Sequence, residues 1–318
     1  MTDDVLFLSG DEVTRLLDPD AAIASQRAAF RALGSGRADL PGKIMHPSRF
    51  DDSVVFAYVS RLSANTGAVA KIGSVNPGNA AAGLPTVHAV VTALDPVTGR
   101  LAAVMDGTAL TTLRTAAGSA VAVDALATPD SADLALIGSG TQALAHARAF
   151  ARVRDLKSVR LWSPNPAHRE RAAEALAAEP GLAVEAVDSA EAAVTGAHLV
   201  AACTLSTTPV VRGAWLAPGC TVVSVGSFEP TRCEVDAQVV RRARVVVDDP
   251  ETAAHHAGPI TAARLAPADL IPLGGVLTGT HEGRTTPDDI VYYNSVGLGI
   301  QDAAAAWAVV HAAKGVRR

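Results

Sequence analysis

Two basic residues in the first 120 residues of the chain lie among apolar neighbours. Lys71 lies in the strand-like segment Val69–Gly73, and Arg114 lies at the start of an otherwise apolar helical stretch. A cation on a buried segment is costly unless it meets an anion, and a guanidinium can hold a carboxylate through two parallel hydrogen bonds. The two residues indicate a site for a small carboxylate. The alternative is that Lys71 faces solvent and Arg114 forms a structural ion pair.

A glycine-rich loop follows the short apolar segment Leu134–Ile137. In the pattern Gly138-x-Gly140-x-x-Ala143, the first glycine allows a tight turn, and the second lets backbone amides approach a pyrophosphate. The small third residue permits close packing between helix and strand, and the helix N-terminus then favours the anion. With a strand before it and a helix after it, this loop predicts dinucleotide binding.

The segment after the next strand bears on the choice of dinucleotide. An NAD-preferring site usually places Asp or Glu at this point to bind the ribose hydroxyls. No acid follows Trp162, and the nearby polar residues suit a 2′-phosphate instead: Ser163, Asn165, His168 and Arg169. NADP(H) is therefore favoured over NAD(H). The alternative is that His168 and Arg169 only solvate the start of the next helix.

The elements that must position these residues change in type near residue 130. Residues 43–104 contain strand-like runs separated by turn signals such as Asp95-Pro96-Val97-Thr98-Gly99, which predicts an antiparallel meander with a tight hairpin. From Leu134 onward, continuous apolar strands alternate with helices, which is typical of a parallel sheet covered on both faces. We predict an α/β fold in which a Rossmann doubly wound parallel sheet is inserted in a split α+β substrate domain.

The predicted domain boundaries follow from this change. The substrate-binding domain comprises residues 1–118 plus 301–318, because the Ala-rich C-terminal helix lies beyond the alternating unit. Residues 119–300 form the predicted NAD(P)-binding Rossmann domain.

Composition limits the classes of function. The chain has 27 Lys+Arg against 32 Asp+Glu and a net charge of −5, which argues against a nucleic-acid partner. No apolar run reaches the ~20 residues that span a bilayer, and the start Met1-Thr2-Asp3-Asp4 is acidic where a secretory signal is basic. Three cysteines without paired spacing indicate reduced thiols. We expect a cytoplasmic enzyme that acts on a small molecule and has no membrane partner.

The nine histidines give no ligand pattern for a metal. Only His255 and His256 are adjacent, and adjacent side chains on a helix diverge by about 100°. No metal site is therefore expected. His88 shares its strand parity with Thr86 and is interpreted as a pocket residue or, more simply, as a core or interface histidine.

An ordered set of motifs across nearly the whole chain resembles the ornithine cyclodeaminase/mu-crystallin family. The motifs are Ala70-Lys71-Ile72, Asn76-Pro77-Gly78-Asn79, Gly83-Leu84-Pro85-Thr86, Ala103-Val104-Met105-Asp106-Gly107, Leu113-Arg114-Thr115-Ala116-Ala117, Ile137–Ala143 and Ser295-Val296-Gly297 before Asp302. The resemblance implies a homodimer joined through a shared β-barrel-like interface between substrate domains. It also implies the use of NAD(P) on amino acids or their imines.

The resemblance assigns roles residue by residue. Lys71 and Arg114 match positions that hold the substrate carboxylate, Lys43 occupies a third such position where arginine is common, and Thr86 lines the site. The positions that match cofactor contacts are Thr115, Gly140, Thr141, Gln142, Thr204, Val225, Gly226 and Ser227, with Ser295 at the nicotinamide. The glycine-loop pattern adds Gly138 to the expected cofactor contacts, and the residues suited to a 2′-phosphate add Ser163 and Asn165. Asp106 and Asp302 are interpreted as turn or helix-cap residues, and Tyr292, Tyr293 and Asn294 as residues that shape the pocket mouth.

One departure from the family pattern bears on the reaction. Ornithine cyclodeaminases and the related alanine dehydrogenases carry an aspartate two residues after the glycine that matches Gly226, and here this residue is Phe228. Cyclodeamination needs a carboxylate that accepts protons, whereas a phenyl ring offers an apolar wall to a ring-shaped substrate. Glu229 is expected to point away, because neighbouring side chains on an extended segment alternate. The pattern therefore looks more like that of the ketimine and Δ1-pyrroline-2-carboxylate reductases.

The predicted reaction is the NAD(P)H-dependent reduction of a cyclic ketimine carboxylate, Δ1-pyrroline-2-carboxylate or Δ1-piperideine-2-carboxylate, to an L-imino acid such as L-proline or L-pipecolate. Lys71, or a water that it holds, is the expected proton donor, since neighbouring cations depress the pKa of a lysine. Two alternatives stay open. One is an ornithine or lysine cyclodeaminase that uses NAD+ catalytically, and the other is a non-catalytic NADPH-binding protein of the mu-crystallin type.

Overall fold

The computed structural model describes residues 5–179 and 181–316, and of Ala80 only the backbone. The chain forms two compact units: unit 1 comprises Met1–Thr115 and Leu298–Arg318, and unit 2 comprises Ala116–Gly297. Residues 1–4, 180 and 317–318 of the predicted domains lie outside the described residues. That unit 1 binds the substrate and forms the dimer, and that unit 2 binds the dinucleotide, stays a prediction.

The helices and strands are numbered in chain order. The α-helices are α1 (Gly10–Leu16), α2 (Pro19–Gly34), α3 (Gly107–Leu126), α4 (Thr141–Phe150), α5 (Pro166–Ala177), α6 (Ala190–Val194), α7 (Ala237–Arg242), α8 (Pro250–His256), α9 (Gly258–Ala263), α10 (Leu273–Thr278) and α11 (Gly299–Val316). The strands are β1 (Leu6–Leu8), β2 (Ile44–Pro47), β3 (Val54–Ser60), β4 (Val69–Val75), β5 (Val87–Leu94), β6 (Leu101–Asp106), β7 (Asp133–Ile137), β8 (Ser158–Trp162), β9 (Ala183–Ala186), β10 (Leu199–Ala202), β11 (Thr221–Ser224), β12 (Arg244–Val247), β13 (Ile271–Pro272) and β14 (Val291–Asn294).

Unit 1 is built on a six-stranded sheet in the order β1-β6-β5-β4-β3-β2. Strands β2 to β6 form the predicted antiparallel meander, and β1 pairs parallel with β6. The Asp95 carboxylate accepts hydrogen bonds from Val97 N at 3.1 Å and Thr98 N at 2.8 Å, and Gly99 has a φ of 70°. A side chain that caps its own turn, followed by a left-handed glycine, closes the hairpin between β5 and β6 as the sequence predicts.

The two faces of this sheet differ. One face packs against α11, which in turn packs against α2, and Trp307 of α11 donates from Nε1 to Gly67 O at 3.0 Å. Lys71 lies in register with Tyr58 and Val91 on this buried face. Because successive residues of a strand point to opposite faces, Ile72 and its partners belong to the other face.

Unit 2 is an eight-stranded, all-parallel sheet in the order β13-β12-β14-β11-β10-β7-β8-β9. The chain proceeds from β7 to β8 and β9 on one side and to β10 on the other, which creates a topological switch point beside β7. In open α/β sheets, ligands bind outside the carboxyl ends of the strands at such a point. The predicted α/β fold class, with a doubly wound parallel sheet, is confirmed.

Strand β14 was not predicted. It lies between β11 and β12, and Tyr292, Tyr293 and Asn294 on it are fully buried. The prediction that these three residues shape a pocket mouth is therefore wrong, because all of them belong to the interior of the sheet. Among the described residues, no helix is long and apolar enough to cross a membrane.

Candidate active site

Lys71 meets a buried acid in unit 1. Its Nζ lies 2.9 Å from Asp302 Oδ1 and 2.7 Å from Asp302 Oδ2, with only 2% and 1% of the two side chains exposed. It also donates to Thr111 Oγ1 at 3.4 Å. The lysine is therefore on the buried face of β4, and the alternative that it faces solvent is wrong.

Arg114 binds the same acid. On α3, Arg114 Nε donates to Asp302 Oδ1 at 3.0 Å, and its Nη1 donates to Gln301 Oε1 at 3.3 Å. Asp302 lies in the first turn of α11, but its carboxylate bridges the lysine and the arginine, so the prediction that it caps a turn or helix is wrong. Asp106, in contrast, accepts from Ala109 N at 2.7 Å and caps α3 as predicted.

Lys43 belongs to the same electrostatic neighbourhood. Burial lowers the pKa of Lys71 to about 8, the Asp302 carboxylate raises it, and the charges of Arg114 and Lys43 lower it further. The charges that shift the pKa of Lys71 are therefore two other cations, Arg114 and Lys43, and one carboxylate, Asp302. We call Lys43, Lys71, Arg114 and Asp302 the cationic cluster; Lys71 and Arg114 share the single Asp302 carboxylate, which leaves a positive charge that a small anion can neutralise.

An aromatic wall adjoins the cluster. Lys71 Nζ lies 4.7 Å from the ring centroid of Tyr58 and 5.8 Å from that of Phe56, distances at which a ring attracts a cation. Thr86 precedes β5 and is half-buried, and its carbonyl accepts from Asn76 N at 2.7 Å. His88 is exposed on the opposite face from Lys71, in register with Ser74, so it does not line a pocket together with this lysine.

The glycine loop of unit 2 has room for a phosphate. Gly138 has a φ of 119°, and a Cβ there would lie 2.6 Å from Cys203 O, so this tight turn requires glycine. Gly140 is the N-cap of α4, and a Cβ added to it would meet nothing within 4 Å. Thr141 and Gln142 begin the helix, whose free amides favour an anion. These residues fit a dinucleotide pyrophosphate.

The residues after β8 are partly engaged by their own neighbours. The Asn165 side chain accepts from His168 N at 3.2 Å and caps α5. Arg169 pairs with Asp188, and Ser163 is buried. Contact of these residues with a 2′-phosphate stays a prediction.

The remaining predicted cofactor residues of unit 2 follow adjacent strands. Thr204 follows β10, Val225, Gly226 and Ser227 follow β11, and Ser295 follows β14. Because these strands are neighbours in a parallel sheet, their carboxyl ends lie at one edge, next to the glycine loop after β7. Ser295 N donates to Ser224 O at 3.0 Å. Thr115 lies in unit 1, buried on α3 next to Arg114.

The segment that carries Phe228 is bent. The Arg232 guanidinium lies 5.4 Å from the Phe228 ring centroid, and Arg232 Nε also donates to Glu229 Oε2 at 3.3 Å. Both side chains therefore contact one guanidinium, and the prediction that Glu229 points away from Phe228 is wrong. Alternation holds only on an extended strand, and this segment is a loop. Glu229 is instead held in an ion pair.

Asp302 was assigned the wrong role from the sequence, and Glu234 was not identified. Asp302 stands in an Ala-rich apolar helix, and this isolated charge was the available signal. Glu234 is fully buried beneath the loops after β10 and β11 and accepts from Thr204 N at 2.6 Å and Gly226 N at 2.7 Å. Burial raises its pKa to about 7, against the hydrogen bonds from Ser224, Thr204 and Gly226, which lower it. Among the described residues, no group of three or more His, Cys, Asp or Glu could hold a metal ion.

Comparison with known proteins identifies the family. The model of the ornithine cyclodeaminase/mu-crystallin family matches residues 4–316. The Delta(1)-pyrroline-2-carboxylate/Delta(1)-piperideine-2-carboxylate reductase of Azospirillum brasilense is 35% identical over 299 residues, covering 90% of this chain and 91% of that protein. The alanine dehydrogenase of Archaeoglobus fulgidus is 32% identical over 311 residues, covering 95% and 93%.

A solved structure agrees with this assignment. The Delta(1)-pyrroline-2-carboxylate reductase of Thermococcus litoralis, in complex with NADH and L-proline, superimposes with a TM-score of 0.94 at 29% identity, covering 98% of each chain. With a family model that matches nearly every residue, the resemblance of the motifs is confirmed: the chain belongs to the ornithine cyclodeaminase/mu-crystallin family.

Proposed function

We propose that this protein reduces a cyclic ketimine carboxylate, Δ1-pyrroline-2-carboxylate or Δ1-piperideine-2-carboxylate, to the L-imino acid with NAD(P)H. The protein is an NAD(P)-dependent oxidoreductase that acts on amino or imino acids. This assignment rests on its family membership and on its similarity to such reductases and dehydrogenases. The observation that carries the choice of a carboxylate substrate is the cationic cluster, in which the buried cations Lys71 and Arg114 share one carboxylate.

The cationic cluster keeps hydrogen-bond donors that can bind a substrate carboxylate. Arg114 uses Nε toward Asp302 and Nη1 toward Gln301, which leaves its Nη2 group for an incoming anion. The Lys71 ammonium is already directed by Asp302, so little side-chain freedom remains to be lost on binding. Arg114, with Lys71 and Lys43, clamps the carboxylate and thereby orients the imine carbon.

The proton comes from this chain. When bound, the reduced nicotinamide supplies a hydride to the carbon of the protonated imine. Lys71, with a pKa lowered to about 8 by burial, is still protonated at neutral pH but gives up its proton readily, which suits a general acid. Lys71, or a water that it holds, protonates the imine nitrogen.

Phe228 supports reduction over deamination. A carboxylate at this position would steer an ammonium group and accept protons, and a phenyl ring can do neither. Glu229 does not take its place, since its carboxylate pairs with Arg232. An apolar wall suits the methylene groups of a cyclic imine.

The cofactor is a nicotinamide dinucleotide, and we propose that NADP(H) is preferred over NAD(H). No acid follows β8 to bind the ribose hydroxyls, and Ser163, Asn165, His168 and Arg169 lie there instead. Arg169 pairs with Asp188, whose carboxylate is almost fully exposed, and a 2′-phosphate can compete with this carboxylate for the guanidinium. A lower Kd for NADPH than for NADH is expected in a fluorescence titration.

A homodimer is the proposed assembly. The sheet of unit 1 carries a row of apolar residues across four strands, since Ile44 pairs with Ala57, Ala57 with Ile72, and Ile72 with Val90. The three large side chains of this row are exposed, by 41% at Val90, 59% at Ile72 and 66% at Ile44. A monomer rarely leaves a contiguous apolar patch of this kind in water, and a second copy of the sheet would cover it.

The direct test is turnover. Purified protein is mixed with NADPH or NADH and either cyclic imine, and nicotinamide absorbance is followed. We expect imine-dependent loss of absorbance, and no loss above background would overturn the proposal. Ammonia release from L-ornithine without accumulation of NADH would identify a cyclodeaminase instead.

A further inference from the structure

We propose that Glu234 is a positioning residue that joins the loops after β10 and β11 into one dinucleotide-binding surface and thereby sets the affinity for the nicotinamide cofactor. This inference rests on the proposed use of that sheet edge by the dinucleotide. Glu234 is not itself expected to touch the cofactor, because its side chain is fully buried.

Each oxygen of the carboxylate serves a different loop. Oε1 accepts from Thr204 N at 2.6 Å and Thr204 Oγ1 at 2.8 Å, after β10. Oε2 accepts from Gly226 N at 2.7 Å and from Ser224 Oγ at 2.7 Å, at the end of β11. The carboxylate therefore ties Thr204 to Gly226, two residues that are predicted to contact the cofactor.

The loops meet closely at this point. A Cβ on Gly226 would lie 1.7 Å from Thr204 O and 2.8 Å from Glu234 Oε1, so the backbones are in contact and only glycine fits. The Glu234 backbone is fixed as well, since its N donates to Ser227 Oγ at 3.0 Å and its carbonyl accepts from Val210 N and Val211 N at 2.9 Å. A movement of the carboxylate would therefore move both loops.

Only a carboxylate satisfies this geometry. A backbone N–H points at each oxygen and cannot be reversed, so both terminal atoms must accept. A glutamine of the same shape has one accepting oxygen, and its NH2 group would face the Thr204 or the Gly226 amide donor to donor. A buried amide without a partner is strongly unfavourable, so one loop must withdraw.

The test compares Glu234→Gln with wild type in cofactor titrations without imine. We expect the NADPH Kd to rise by at least about tenfold, as for the loss of hydrogen bonds to a charged group. In steady state, the KM for NADPH rises by a larger factor than the KM for the imine, because the cations that hold the imine carboxylate, Lys43, Lys71 and Arg114, lie in unit 1, and only Phe228 lies on a displaced loop. A lower melting temperature with an unchanged NADPH Kd would overturn the proposal.

A second variant serves if Glu234→Gln does not fold. Ser224→Ala removes one of the four hydrogen bonds and leaves the carboxylate and both loop amides in place, so a smaller rise in the NADPH Kd, about threefold, is expected. Glu185→Gln, on the half-exposed to exposed strand β9, is the control and should leave the Kd unchanged. Wild-type protein that binds NADPH but reduces no imine would refute the proposed function alone, and an unchanged Kd in Ser224→Ala would count against Glu234.

Discussion

At the scale of single residues, the Asp302 carboxylate allows two cations, Lys71 on β4 and Arg114 on α3, to be buried near each other. Lys71 and Arg114 both bind it, at 2.7 to 3.0 Å. Taking each charge out of water costs several kcal/mol, and the shared acid offsets much of this cost. The pair is therefore held in place before a substrate arrives, and the excess charge is available for the substrate carboxylate.

Asp302→Asn should be strongly destabilising. The variant keeps the shape of the side chain but leaves two buried cations without their acid, which costs about 3–5 kcal/mol. The free energy of unfolding in urea measures this loss. Glu179→Gln is the matched control, because its partner Arg148 is exposed to about half of its surface, and the change there should stay below about 1 kcal/mol. Equal losses in the two variants would contradict the role of Asp302.

The pH dependence of the reaction tests Lys71. Its folded pKa is lowered from 10.5 to about 8, so the ammonium is present below pH 8 and is lost above it. If Lys71 supplies the proton, kcat/KM falls above pH 8, by about tenfold per pH unit. Lys157→Gln, a surface variant, should keep this profile. Lys71→Gln should lower kcat and remove the break near pH 8, and an unchanged break in that variant would assign it to the substrate.

At the scale of elements, most strands could be predicted from the sequence, because the residues that indicate each strand lie close together in the chain. The meander of unit 1 follows from alternating apolar runs and from a turn that Asp95 caps by itself. The strands from β7 to β12 are short apolar runs that helices separate. Each of these signals lies within about ten residues, so no knowledge of distant contacts was needed.

Elements and contacts set by distant residues were not predicted. Strand β14 inserts between β11 and β12, a place that only the finished sheet defines. Lys71 and Asp302 are 231 residues apart. The apolar neighbours of Lys71 in the sequence therefore indicated that it must meet an anion, but they did not indicate that Asp302 supplies it. The contacts of Glu234 were not predicted either, because its partners lie on two separate loops. The direction of the Glu229 side chain was predicted wrongly, because the segment is bent and not extended.

At the scale of the whole molecule, the apolar face of the unit 1 sheet predicts the assembly. Ile72→Asp places a charge at the centre of the row formed by Ile44, Ala57, Ile72 and Val90, and desolvating it at an interface is costly. The molar mass measured by light scattering after size-exclusion chromatography should be about twice 32.4 kDa for wild type and close to 32.4 kDa for the variant. Val97→Asp is the control, because Val97 is exposed in the hairpin after β5 and not on this face. A wild-type monomer would contradict the prediction.

The most direct test of the central claim, that Arg114 and the cationic cluster bind the carboxylate of a cyclic imine that NAD(P)H reduces, is a comparison of wild type with Arg114→Lys. The variant keeps the charge but loses the planar fork. Imine-dependent oxidation of NADPH and the Kd for NADPH are measured on the same preparations. We predict wild-type turnover, a rise of about tenfold or more in the imine KM of the variant, and an NADPH Kd that changes less than about twofold. Absence of wild-type turnover, or an equal loss of NADPH affinity in the variant, would contradict the account.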